Sequence, residues 1–152
     1  MEEINDSSTG PTQLYGRTKL AMILGAKFGL AEKAVKQDEK IYCLAVHPGA
    51  VNTQMQESWK RAYPGITGQI FSAVSKFVSR SPEQGAYSAL WAATSPKIVE
   101  ENIKFCYYQD PDSPGKESSQ GNDKWLGEAL WDLSHRMVRS IMGEDALGSW
   151  DK

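Results

Sequence analysis

Ile41-Tyr42-Cys43-Leu44-Ala45-Val46-His47-Pro48-Gly49-Ala50-Val51-Asn52-Thr53 is the stretch that decides the fold of this chain. Residues 41–46 form a short apolar run rich in β-formers, the pattern of a strand buried on both faces of a parallel sheet. His47-Pro48-Gly49 ends that strand, because proline withholds a backbone N–H and glycine admits a tight turn. Asn52 and Thr53 then lead into a polar, helix-prone stretch. A buried strand, a turn and a helix in this order belong to an α/β fold. In open sheets of that kind ligands bind outside the carboxyl ends of the strands, so the loop at 47–53 is where a ligand is expected.

Upstream lies Leu14-Tyr15-Gly16-Arg17-Thr18-Lys19, inside a helix expected over residues 13–36 with Leu20, Ile23, Leu24, Phe28 and Ala31 as its apolar stripe. Tyr15 and Lys19 are four residues apart and so share one helix face, about 5–6 Å apart at their Cβ atoms. A free phenol titrates near pH 10 and is a poor acid or base at neutrality. An ammonium about 4 Å from a phenolate attracts it by about 4 kcal/mol at an effective dielectric near 20. That is enough to tune a phenol toward exchanging a proton with a carbonyl oxygen. Taken alone, the pair is common by chance and reads more often as a half-buried aromatic beside a solvated lysine.

The order of the two motifs removes that ambiguity. A helix with Tyr-x-x-x-Lys, then a buried strand, then Pro-Gly-x-Val-x-Thr resembles the short-chain dehydrogenase/reductase family. More narrowly it is similar to the retinol-dehydrogenase-like and WW-domain-oxidoreductase-like branch of filamentous fungi, from Glu2 to about Trp150. The resemblance implies a Rossmann-type doubly wound parallel sheet. It implies NAD or NADP as cofactor and an alcohol or carbonyl substrate, lipophilic in this branch. Tyr15 matches the general acid/base tyrosine, and Lys19 the lysine that assists it and binds the nicotinamide ribose. Pro48 and Gly49 match the loop beside the nicotinamide ring, Val51 a position facing the carboxamide, and Thr53 one whose hydroxyl approaches the pyrophosphate. His47 reads as a structural residue at a strand end.

The family pattern also opens with a strand, a glycine-rich turn and a helix whose N-terminus holds the pyrophosphate. Gly10 is the only glycine ahead of Tyr15, and Glu2 stands where short family members place the catalytic serine. Ser7 and Ser8 lie too close to Tyr15 to replace it. The expectation is a carboxyl-terminal half of a Rossmann-type domain, with about two strands and four to five helices. On its own such a chain is expected to bind a dinucleotide weakly or not at all. A non-redox isomerase or cyclase that uses the retained pocket, and a non-catalytic remnant or dimerisation module, remain alternatives.

Composition agrees with one partial domain. The chain has 152 residues, 40% of them hydrophobic, with five tryptophans. A net charge of −2 and a pI near 5.7 leave no footprint for nucleic acid or an anionic membrane. Mean hydropathy is −0.49, and no run reaches the length of a membrane span. The first residues, Met1-Glu2-Glu3-Ile4-Asn5-Asp6, lack the basic and apolar regions of a signal peptide, which points to a cytoplasmic setting. Cys43 and Cys106 read as small core residues in a reducing compartment, and no cysteine–histidine spacing suggests a metal.

The expected organisation is a polar lead-in at 1–12, a catalytic-helix and sheet region at 13–109, and a terminal loop and helix at 110–152. Residues 54–62 and 65–78 read as helices. Ser81-Pro82-Glu83-Gln84 has the form of a capping box opening a helix that runs to about Thr94. Residues 103–109 read as a second buried strand weakened by Lys104, and 110–115 as a loop. Asn122 or Asp123 then caps an amphipathic helix with Leu126, Leu130, Leu133, Met137 and Ile141 on one face. Only two parallel strands leave an apolar strand edge and much of the first helix's stripe uncovered. Self-association, or covering by a complementing chain, is therefore expected through the helix that carries Tyr15.

Overall fold

A computed structural model describes residues 8–35, 39–51 and 79–151. The helices expected at 54–62 and 65–78, and with them Thr53, lie outside the described residues. The fold is α/β, with a three-stranded sheet of order β1-β2-β3 in which β1 is Cys43–Val46, β2 Phe105–Asp110 and β3 Ser113–Pro114. The Cys43 N–H donates to the Lys104 carbonyl and the His47 N–H to the Tyr108 carbonyl. Both strands advance together along these bonds, so the pair is parallel. β3 runs antiparallel to β2, with Tyr108 opposite Pro114 and Asp110 opposite Ser113. The stretch expected to be a plain loop is thus a tight hairpin. Asp112 turns it at φ 52°, in the left-handed region that aspartate tolerates.

The chain divides into two compact units. The first comprises Met1–Ala45, Pro96–Tyr107 and Lys116–Lys152. Its leading helix α1, Pro11–Leu24, starts with proline in the first turn, where a missing N–H costs nothing. It passes without interruption into a π-helical segment, Gly25–Ala34, which Val35 ends in extended conformation. A helix was expected over this stretch, but its wider winding was not. π-Helix is usually confined to single turns, and glycines at 25 and 29 remove two side chains from the broadened stretch.

Leu24, Phe28 and Ala31 of the expected stripe are buried, and Leu20 and Ile23 half-buried. They meet the long helix Lys124–Met142, in whose first turn the Leu126 N–H donates to the Asp123 side chain at 3.1 Å. Two glycines make this crossing close. A Cβ at Gly127 would lie 2.7 Å from Phe28 Cγ, and one at Gly29 would lie 2.5 Å from Trp131 Cζ3. Each helix thus offers a notch that a ring from the other fills. Leu126, Leu130 and Leu133 are half-buried, whereas Met137 and Ile141, expected on the same covered face, are exposed.

Polar groups fasten the rim of this unit. Lys27 Nζ reaches Glu117 Oε1 at 3.1 Å and Asn122 Oδ1 at 2.6 Å, with the Phe28 and Phe105 rings each 5.4 Å away. Lys124 pairs with Glu32 at 3.0 Å. Lys104 sits just before β2 instead of inside it. Its ammonium donates to the Glu39 carbonyl and lies over the Tyr42 ring, so the charge reaches a partner without entering the strand. Cys43 and Cys106 lie on β1 and β2 as half-buried thiols, and burial pushes the Cys43 thiol up against the smaller opposing pull of Lys104. Ile98, on the short helix Pro96–Glu100, is buried in the same unit.

The second unit comprises Val46–Ser95 and Tyr108–Gly115. Helix α2, Pro82–Thr94, begins at the capping box that the sequence announced. The Gln84 N–H donates to Ser81 Oγ at 3.3 Å and the Ser81 N–H to Gln84 Oε1 at 3.1 Å. The helix lies against β2 through the buried Ser88, whose hydroxyl donates to the Gln109 carbonyl at 3.2 Å. Trp91 packs edge-on against Tyr108 with ring centroids 4.7 Å apart. Tyr108, 2% exposed, centres this small core.

Candidate functional site

Tyr15 and Lys19 both lie on α1 (Pro11–Leu24), one helical turn apart as their spacing required. Lys19 Nζ stands 5.5 Å from the centroid of the Tyr15 ring, so the ammonium faces the ring in a cation–π arrangement. Tyr15 is 41% exposed. The turn beneath it is closed by the Thr18 hydroxyl, which donates to the Tyr15 carbonyl at 2.7 Å.

Pro48, Gly49 and Val51 belong to the second unit, on the loop that leaves the carboxyl end of β1. His47 shapes the turn: its ring Nδ1 accepts from the Gly49 N–H at 3.1 Å, while its own N–H continues the ladder to Tyr108. This matches the structural role read for it at the strand end. Gly49 has φ 79°, a conformation that strains any residue bearing a Cβ. Val51 forms a parallel bridge with Arg80 and fills a notch at Gly85 of α2, where a Cβ would lie 3.1 Å from Val51 Cγ1. Pro48 is exposed, and the loop sits at the carboxyl end of a parallel strand, where ligands of open α/β sheets bind.

Two residues of this loop's support were not anticipated. Arg80 N–H donates to the Ala50 carbonyl at 2.7 Å, and its guanidinium lies under Gly49, whose absent Cβ would meet Nε at 3.2 Å. The same guanidinium binds Asp110 Oδ1 at 2.6 Å. Arg80 holds the Asp110 carboxyl below the usual carboxylate range, chiefly through that hydrogen bond, and Asp110 in turn pushes Arg80 up. Arg80 precedes a capping box and Asp110 opens a turn, so each had a local explanation and nothing in the sequence joined them. Among the described residues no group of histidine, cysteine and acidic side chains could hold a metal ion. No helix of the described residues is long and apolar enough to cross a membrane.

Curated proteins similar to this chain are dehydrogenases and reductases. A short chain dehydrogenase/reductase of Gibberella zeae is 29% identical over 93% of this chain and 39% of its own length. One from Emericella nidulans is 34% identical over 57% of this chain and 25% of its own. Retinol dehydrogenase 14 of Homo sapiens is 27% identical over 88% of this chain and 38% of its own length. The chain is thus similar to short-chain dehydrogenases/reductases, and it spans well under half the length of these relatives. No family model matches the chain, and no solved structure matches it significantly.

Proposed function

We propose that this chain carries the proton-transfer and nicotinamide-facing elements of an NAD(P)-dependent oxidoreductase acting on an alcohol or carbonyl, lipophilic in character. The observation that carries the reading is the Lys19 ammonium set against the Tyr15 ring on one exposed turn of α1, within a chain similar to this family. Tyr15 donates a proton to the carbonyl oxygen in reduction and accepts it from the alcohol in oxidation. Lys19 stands beside the Tyr15 ring and binds the nicotinamide ribose. Pro48, Gly49, Val51 and Thr53 line the nicotinamide and pyrophosphate. When bound, the nicotinamide supplies or takes up the hydride. Retinol dehydrogenase 14 among the relatives supports the lipophilic substrate class.

Tyr15→Phe is the direct test, because it keeps the ring and its packing and removes only the hydroxyl. In full-length protein assayed with NADH or NADPH and apolar aldehydes, turnover should fall by about 10²–10⁴-fold. A Tyr15→Phe variant with near-full turnover would place the chemistry elsewhere.

A further inference from the structure

The loop after β1 is anchored at three points, all in the second unit. The His47 N–H joins it to β2, Val51 fills the Gly85 notch, and Arg80 holds its middle. The first two are backbone and packing contacts shared by many strand ends. Arg80 differs. Its backbone N–H takes the Ala50 carbonyl, its planar guanidinium underlies Gly49 with Cζ at 3.4 Å from where a Cβ would stand, and Asp110 fixes that plane from β2. The side chains of Arg80 and Asp110 are 38% and 48% exposed, so neither is a core residue whose loss would collapse the unit.

We propose that Arg80, tethered by Asp110, is a positioning residue for the Pro48-Gly49 turn, holding it in the shape that receives the nicotinamide cofactor. The inference rests on the functional reading above for the identity of the ligand, and on unit-internal geometry for the device itself. A guanidinium suits the task because it is flat enough to lie under a glycine at φ 79° while its edge remains free to bind a carboxylate. A lysine would keep the charge and lose the supporting plane.

The test compares Arg80→Gln, Asp110→Asn and the double variant with wild type, with Arg80→Lys as a milder second substitution. All four keep the Arg80 backbone N–H. Amide hydrogen exchange at Gly49 and at position 80 reads the loop directly. NADH and NADPH, titrated to millimolar concentration and followed through the Gly49 and Val51 amide resonances, read its use. Each single variant should exchange faster at Gly49 and weaken the cofactor dissociation constant by about fivefold, the scale of a partly exposed ion pair. The double variant should be no worse than either single one, because both substitutions break the same pair. Arg80→Lys should fall between wild type and Arg80→Gln.

Unchanged exchange at Gly49 in both single variants overturns the proposal. So does faster exchange with an unaltered dissociation constant, since the loop would then be held for another purpose. Failure of the broader reading looks different: Tyr15→Phe would retain turnover whether or not Gly49 exchange responds to Arg80.

Discussion

Asp110 and Arg80 stand 30 residues apart, and each acquires its character from the other. A carboxyl whose folded pKa is depressed contributes stability that is complete above its unfolded value, about 3.9, and is lost as pH falls through the lower folded value. Asp110 is depressed by its hydrogen bond to Arg80. The pair should therefore persist through mildly acidic pH and open only below the ordinary carboxylate range. A carboxyl-carbon titration should place Asp110 below a free aspartate in wild type and return it upward in Arg80→Gln. An Asp110 that titrates normally in the intact protein would contradict the pairing. Both groups are partly exposed, so the effect on global stability is small. Tyr15 and Lys19 were legible at this scale because one helical turn defines their relation. Arg80 and Asp110 were not, because an ion pair between distant segments leaves no spacing to read.

Elements with local signals formed where they were expected. The capping box at Ser81 opens Pro82–Thr94, and Asp123 opens Lys124–Met142, because each cap is a bond between residues three apart. The apolar run at 41–46 became the strand Cys43–Val46. The departures involve partners. Gly25–Ala34 winds as π-helix while its face meets the Lys124–Met142 helix through the Gly29–Trp131 and Gly127–Phe28 notches. Gly127→Ala should gain intrinsic helix propensity yet destabilise the protein by about 1–3 kcal/mol, because the new methyl overlaps the Phe28 ring. For a domain of this size that is a fall of several degrees in melting temperature, at about 2–4 °C per kcal/mol. A variant that melts at or above the wild-type temperature would show that the helices can separate at no cost.

At the scale of the whole molecule, the outstanding feature is apolar surface left bare. On the Lys124–Met142 helix, Ile141 is 80% and Met142 72% exposed, and on α1 Met22 is 66% exposed. Side chains this apolar favour association when they lie in patches. Sedimentation of the 152-residue chain should show self-association at high micromolar concentration; a compact monomer there would refute it. The sequence by itself determined the α/β class, the helix starts, the Tyr15–Lys19 turn and the Pro48-Gly49 turn at a strand's end. Each of these depends on bonds or periodicities within a few residues. Tertiary structure alone decided that residues 110–115 fold back as a hairpin, that the terminal helix half-buries Leu126, Leu130 and Leu133 but leaves Met137 and Ile141 exposed, and that Arg80 and Asp110 brace the loop after β1. Those outcomes depend on which segments meet across space, and no local pattern encodes a meeting between segments distant in sequence.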